Sequence, residues 1–340
     1  MALRDARVTL AHGGGGRAMR DLIEEVFTSV FGPPGMEDQA RLSAAALARP
    51  GARLAFTTDS YVVTPVEFPG GDIGKIAVCG TVNDLAVGGA TPLWLSAAFI
   101  IEEGTEIALL RRIVATMASE AEAAGVRIVT GDTKVVGRGA CDGVFVTTAG
   151  VGVIAPGCEM AADLVRPGDV AIVNGVLGDH GATILAARGD LALSSDIESD
   201  CAALGHLMAD LIAAAPGTRA ARDLTRGGLA SALSEIAGAA GCGLVIEEAA
   251  LPLRAEVVGM CEILGLDPLY LANEGRLVAF VPEAEAEAAL AAMRGRPEGA
   301  GACIVGRAVP EHPGQVRMRT AFGGSRIVDM LVGEQLPRIC

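Results

Sequence analysis

Apolar positions along the chain recur in two rhythms. Residues 107–124 put Leu109, Leu110, Ile113 and Met117 on one side, the spacing of an amphipathic helix. Residues 17–31 share that spacing. Residues 73–87, apolar and rich in small side chains, predict a buried helix. Short aliphatic runs at 54–58, 93–101, 126–130 and 144–154 predict strands. Pro156-Gly157 and Pro167-Gly168 bracket a junction. Beyond it the alternation resumes with a strand at 170–173, helices at 182–188 and 201–214, a loop at 223–228 and a helix at 229–240. A strand at 244–247, a helix at 256–264, a strand at 277–281, a helix at 284–293 and a strand at 304–309 follow, with a tail over 326–340. The pattern predicts a mixed α/β fold of two lobes. The expected divisions are a glycine-rich segment and helix at 1–35, a first domain at 36–156, a second at 157–312 and a terminal segment at 313–340.

Composition narrows the class. The 340 residues suffice for two ordinary domains, and 51% hydrophobic content with 3% aromatics predicts aliphatic cores. No apolar run reaches the roughly 20 residues that span a bilayer, and the basic start has no apolar stretch behind it, so neither membrane span nor signal peptide is expected. The net charge of −14 disfavours nonspecific nucleic-acid binding and favours a site for cations or metal-bound phosphates. None of the eight cysteines forms a C-x-x-C pair, which predicts reduced thiols in a cytoplasmic protein. Cys340 ends the chain, its thiol beside an α-carboxylate. The lysines are Lys75 and Lys134, every other basic residue among the 27 being arginine, and both fall in motif-like segments.

Four aspartates stand where strands should end or helices begin: Asp59 in TTDS, Asp84 in TVND, Asp132 in TGDT and Asp223 in RDLTRGG. Singly, each suits a helix cap. Together they suit Mg²⁺, which shares hard oxygen ligands with phosphates. Asp84 lies in an apolar segment, where a carboxylate is costly without a cation or donors. The glycine stretches His12–Gly16, Phe68–Lys75 and Thr225–Gly228 can bring backbone N–H groups to phosphate oxygens. Residues 70–75 are not a P-loop, because the spacing is one residue short and Ile76 replaces the hydroxyl residue. In Asn273-Glu274-Gly275, Glu274 could serve as a base beside a nucleotide.

These motifs, with LGDHGATIL, ANEGRLV and the terminal PRIC, closely resemble the HypE carbamoyl dehydratase family of hydrogenase maturation, over roughly residues 12–340. That family lies in the superfamily of aminoimidazole ribonucleotide and selenophosphate synthetases. The resemblance implies a two-lobed PurM-like fold, with N-terminal lobes pairing in a homodimer and ATP held near that interface. It implies ATP-dependent dehydration of a carbamoyl group on Cys340 to a thiocyanate, which supplies the cyanide ligands of [NiFe] hydrogenase iron. A carbamoyltransferase, HypF, loads the thiol, and the HypC–HypD scaffold receives the cyano group. In this frame Asp59, Asp84, Asp223 and Asp132 are expected on Mg²⁺, and Lys75 and Lys134 on phosphate or the thiocarboxamide. Glu274 is the expected base and His12 a second proton carrier. Gly13, Gly14, Gly15, Gly16, Asn83, Thr133, Thr225, Arg226, Gly227 and Asn273 are expected around ATP, and His180 is given a structural role. The 17 steps from Gly323 to Cys340 span roughly 55–60 Å extended, enough for the thiol to visit several sites. Selenophosphate synthetases carry a Cys or selenocysteine near the first glycine loop, whereas this chain has His12 there. Aminoimidazole ribonucleotide synthetases need no terminal thiol. A non-catalytic scaffold would have no use for clustered carboxylates.

Overall fold

A computed structural model describes residues 5–32, 39–189, 196–331 and 339–340. The division expected at 35/36, and Pro337 and Arg338 of the terminal motif, lie outside the described residues. After a 3-10 turn at Leu10–Gly13, the chain is helical through α1 (Arg17–Leu22), a π-helical Ile23–Thr28 and α2 (Ser29–Phe31). Strand β1 (Arg53–Tyr61) and a two-residue ribbon, β2 (Glu67–Phe68) with β3 (Gly71–Asp72), lead into α3 (Ile73–Val87). Then come β4 (Ala90–Glu102), α4 (Ile107–Ala123), β5 (Arg127–Val136) and β6 (Val144–Ile154).

The first sheet has the order β1-β6-β4-β5. Only β4 and β5 run parallel, joined by α4 as a parallel pair requires. Helices α3 and α4 cover one face. Thr148 of β6 is buried on that face and donates to the Ala77 carbonyl of α3 at 3.2 Å. The other face keeps Leu54, Phe56 and Ile100 exposed. The small residues of α3 allow close approach: a Cβ on Gly80 would stand 2.4 Å from the Tyr61 hydroxyl oxygen. The buried Tyr61 hydroxyl shares a hydrogen bond with Thr81 at 3.2 Å.

The second lobe runs β7 (Asp169–Val173), α5 (Asp179–Ala187), α6 (Gly205–Ala214), β8 (Ala220–Asp223), α7 (Gly228–Ala240) and β9 (Gly243–Glu247). It continues through α8 (Ala255–Leu264), β10 (Leu277–Pro282), α9 (Ala286–Arg294), β11 (Cys303–Val309), β12 (Val316–Arg319) and β13 (Ser325–Val328). Its sheet has the order β13-β12-β9-β11-β7-β10-β8. Two aliphatic clusters sandwich it, one around Leu233, Phe280 and Val305, the other around Ile172, Leu207 and Leu290.

Several expectations change. Asp59 lies inside β1, and Gly131–Lys134 lie inside β5 rather than beyond it. Glycine stands mid-strand there because a Cβ on Gly131 would meet the Ala97 carbonyl oxygen at 2.2 Å. The segment before Gly205 is not helical: Asn83 and Ser199 side chains take its backbone groups instead. Strands β8, β12 and β13 were not expected, and the last two extend the second lobe past residue 312. The tether to Cys340 therefore starts after Val328, 12 steps away or roughly 40 Å extended. Nor is the terminus simply loose: Ile339 is buried, forms a β-bridge with Val63, and the Cys340 carbonyl accepts the Val62 N–H at 2.9 Å.

Gly80→Ala tests the α3–β1 contact. Overpacking of this kind costs about 1–3 kcal/mol, so the urea midpoint should fall with the slope unchanged. An unaltered midpoint would show that Tyr61 moves aside freely.

Candidate active site between the lobes

Asn83 of α3 ties the lobes together. Its Nδ2 donates to the carbonyls of Ala202 at 3.0 Å and Glu274 at 3.3 Å, and its Oδ1 accepts the Leu204 N–H at 2.7 Å. Asn273 is equally occupied: Oδ1 accepts the Gly178 N–H at 2.7 Å, and Nδ2 reaches the Leu224 and Leu271 carbonyls at 3.0 Å each. Both are buried. These amides were expected on the nucleotide, but they spend their donors and acceptors holding backbone.

That bracket sets Glu274 between the lobes. Glu274 is 2% exposed, its Oε1 has no hydrogen-bond partner, and its backbone N–H donates to Asp200 Oδ1 at 3.0 Å. Burial first, then the charges of Asp200, Asp223 and Asp59, hold its carboxyl well above the usual range. That setting gives it a raised affinity for a proton. Asp200 is buried with Arg276 Nε 3.4 Å from its Oδ2, an ion pair without hydrogen-bond geometry. Behind it, a cleft of about 850 Å³ is lined by Asp179, Ser199, Asp200, Arg254, Met260 and Arg276.

Three of the four aspartates gather on the same side. Asp84 on α3 accepts the Thr57 hydroxyl at 2.8 Å, and its carboxyl is raised by burial and by Asp59. Asp223 ends β8 and is raised to about 7 by burial and by Asp84 and Asp59, against the pull of Arg222. Such mutual repulsion is what a cation relieves. Among the described residues, no group of three or more His, Cys, Asp or Glu could hold a metal ion alone.

The terminal thiol enters this group. Burial raises the Cys340 thiol strongly, followed by the charge of Glu274, with Asp59 and Asp223 adding to it and the Arg226 guanidinium opposing. The docked sulfur is therefore a neutral thiol facing four site residues. Thr225, Arg226 and Gly227 form the turn into α7, where the Gly228 N–H bonds the Thr225 carbonyl at 2.9 Å.

Other expected residues stand elsewhere in the single chain. Asp132 and Lys134 lie on β5, at the opposite sheet edge from Asp59. The register Asp59–Thr148–Ala97–Gly131 separates those edges by three strand spacings, roughly 14 Å. They also lie on the other face, since Asp132 pairs with Ala98 and Lys134 with the exposed Ile100. Thr133 points to the helix-covered face and is buried. The glycine loop packs at this far edge, where a Cβ on Gly13 would meet the Val135 Cβ at 2.8 Å. Gly14 closes the 3-10 turn, Gly15 takes φ +74°, and Gly16 caps α1. His12 is buried there, with Nδ1 accepting from the Thr9 N–H at 3.0 Å and Nε2 3.6 Å from Asp5. Lys75 is turned inward, its Nζ 3.3 Å from the Gly70 carbonyl and 3.7 Å from Glu120. One chain thus divides the expected site into two groups.

Residues 38–154 match the AIR synthase related protein N-terminal domain, and residues 166–319 match the C-terminal domain of the same family. The two lobes are those of the AIR synthase related proteins. The chain is 91% identical over 340 residues, all of both chains, to carbamoyl dehydratase HypE of Rhodobacter capsulatus. The crystal structure of hydrogenase maturation protein HypE in complex with ATP is 47% identical, with a TM-score of 0.92 over 98% of this chain and 99% of that one. HypE in the HypE–HypF complex is 44% identical, with a TM-score of 0.79 over 91% of this chain and 99% of that one. Within the AIR synthase related proteins, the chain belongs to the HypE carbamoyl dehydratase family.

The raised Asp223 gives a signed pH test. A carboxyl whose folded pKa is raised contributes stability that is present below its unfolded pKa, about 4. That contribution is lost as pH rises through about 7. Asp223→Asn should therefore gain stability relative to the parent chain between pH 5 and pH 8, measured by urea midpoints without nucleotide or divalent cation. An equal difference at both pH values would exclude the crowding.

Proposed function

We propose that this chain uses ATP to dehydrate a carbamoyl group carried on Cys340 sulfur to a thiocyanate, supplying cyanide for the iron of [NiFe] hydrogenase. The observation that carries the reading is the docking of the terminal dipeptide on Val62 and Val63, with the Cys340 thiol within electrostatic reach of Glu274, Asp59, Asp223 and Arg226. A thiol is a poor fit to such carboxylates unless it brings a group that they act upon.

The chemistry balances. The carbamoyl oxygen attacks the γ-phosphorus of ATP, and the bond to ADP breaks. The C–O bond then breaks as C≡N forms, the oxygen leaves in phosphate, and both nitrogen protons are lost. The task is one of positioning and charge stabilisation. Glu274, in its deprotonated form, accepts one nitrogen proton. Its buried setting gives it the high affinity for that proton. Asp59, Asp84 and Asp223 fit a magnesium ion shared with the triphosphate, since magnesium ordinarily takes one or two carboxylates plus phosphate oxygens. Bound there, the ion would offset phosphate charge. The Thr225-Arg226-Gly227 turn, at the N-terminus of α7, offers backbone N–H groups and a guanidinium to phosphate oxygens.

Asp132, Lys134, His12 and the loop Gly13–Gly16 reach a site only across a homodimer. The exposed sheet face with Leu54, Phe56 and Ile100 supports pairing of two N-terminal lobes, as does its largely apolar character. In that pairing, Lys134 and Asp132 of one copy serve the ATP and thiocarboxamide of the other. Lys75, paired with Glu120 on the inner side, is a supporting residue of the same pocket. HypF loads the thiol, a role supported by the HypE–HypF complex of the relative, and HypC–HypD accepts the cyano group. Among the described residues, no helix is long and apolar enough to cross a membrane. We place the reaction in the cytoplasm.

The test is mass spectrometry of the C-terminal peptide after carbamoylation by HypF and addition of Mg·ATP. Loss of one water from the Cys340 adduct, dependent on ATP, is expected. Glu274→Gln and Lys134→Ala should each keep the carbamoyl adduct and lose dehydration by at least about a hundredfold, the first by removing a proton carrier and the second by removing a charge that positions the reacting groups. Mixing Lys134→Ala with Cys340→Ala chains should restore dehydration, because each mixed dimer keeps one complete site. An unchanged adduct in the parent chain, or an adduct on another cysteine, would end this reading.

A further inference from the structure

His180 is not used by the chemistry above, yet it sits against the terminus. Its Nε2 lies 2.7 Å from the Ile339 carbonyl oxygen and its Nδ1 lies 2.8 Å from the Ser199 hydroxyl. The ring is fully buried, with its edge toward Phe68 at a centroid distance of 5.5 Å. A carbonyl can only accept, so Nε2 carries the proton. Nδ1 then accepts from Ser199, whose oxygen in turn accepts the Cys201 N–H at 3.2 Å. The tautomer is fixed by this chain of bonds. Burial lowers the imidazole to about 4, so it stays neutral at physiological pH.

The partner of this contact is main chain. From the first lobe, the Val62 N–H holds the Cys340 carbonyl at 2.9 Å, and Val63 bridges Ile339. From the second lobe, His180 holds the Ile339 carbonyl. The buried Ile339 side chain enters the first-lobe core between them. The Cys340 sulfur takes no part in any of these contacts. From this geometry we infer that His180, oriented by Ser199, is a latch that docks the terminal dipeptide by its backbone and leaves the sulfur free for any cargo. His180 is thus a positioning residue, and Ile339 the side chain that selects this terminus. The latch touches no group that changes when the thiol is bare, carbamoylated or cyanated, so the three forms can share one seat. The link to catalysis rests on the proposed role of Cys340, but the docking itself does not.

The experiment reads docking without ATP or HypF. The full chain is treated with iodoacetamide at fixed pH, and Cys340 modification is followed on the C-terminal peptide. His180→Ala should raise the rate about tenfold, the effect of losing one buried hydrogen bond. His180→Gln keeps a donor at the Nε2 position and should stay within about threefold of the parent. Ser199→Ala should move the rate in the same direction as His180→Ala. A parent-like rate in a folded His180→Ala chain overturns the latch. Thermal stability is then compared in chains with and without Ile339 and Cys340. A latch predicts that the stability difference between parent and His180→Ala, or Ser199→Ala should His180→Ala fail to fold, shrinks when the dipeptide is removed. Equal differences in both backgrounds would make His180 a core residue only and overturn the proposal. Failure of dehydration with an intact alkylation pattern would instead strike the function and leave the latch standing.

Discussion

One buried amide sets the geometry on which the site depends. Asn83 reaches from α3 of the first lobe to three backbone groups of the second, at Ala202, Leu204 and Glu274. Each of those groups would cost about 1–3 kcal/mol if left buried and unpaired, so the bracket admits one seating of the lobes. That seating brings Glu274, from the second lobe, to Asp59, from the first, and Asp223, from the second, to Asp84. It also opens the seam into which Ile339 and Cys340 fit.

The seam concentrates negative charge. Burial, and then the charges of neighbouring carboxylates, raise the proton affinity of Asp84, Asp223 and Glu274. Some are held by hydrogen bonds or by Arg276 and Arg222, but Glu274 Oε1 is left without a partner. Such an arrangement weakens the empty protein and rewards a cation with polyphosphate. A pocket tuned this way suits a reaction in which protons leave nitrogen while phosphate charge is offset. The neutral His180 latch suits it too, since a charged latch beside these carboxylates would couple docking to pH.

Much of this was legible in the sequence. Helix α3 and strand β6 fall on residues 73–87 and 144–154 as their patterns predict, because a long apolar run rich in small residues and a run rich in β-branched residues are strong local signals. The family was legible from motifs such as GDTKVV and PRIC. Strands β12 and β13 were not, since VRMR and SRIV are only four residues each and interrupted by charges. Site roles were less legible than site neighbourhoods. Asn83 and Asn273 sit beside acidic residues in the chain and look like ligand contacts, yet only their spatial partners reveal that the amides are spent. Asp132 and Lys134 share their motif with Thr133, but strand alternation sends them to the opposite face. The His180–Ser199 pair is 19 residues apart and the Ile339 carbonyl 159 residues away, so no local pattern could join them.

The terminal sulfur lies in a desolvated seam between the lobes. The most direct measurement is the infrared stretch of a nitrile placed on Cys340 by cyanylation, taken as a difference against a Cys340→Ala chain. Burial there should give a narrower band, displaced from that of the same nitrile on the free C-terminal peptide in water. A band that matches the free peptide would mean that the sulfur sits in solvent, and would contradict the claim.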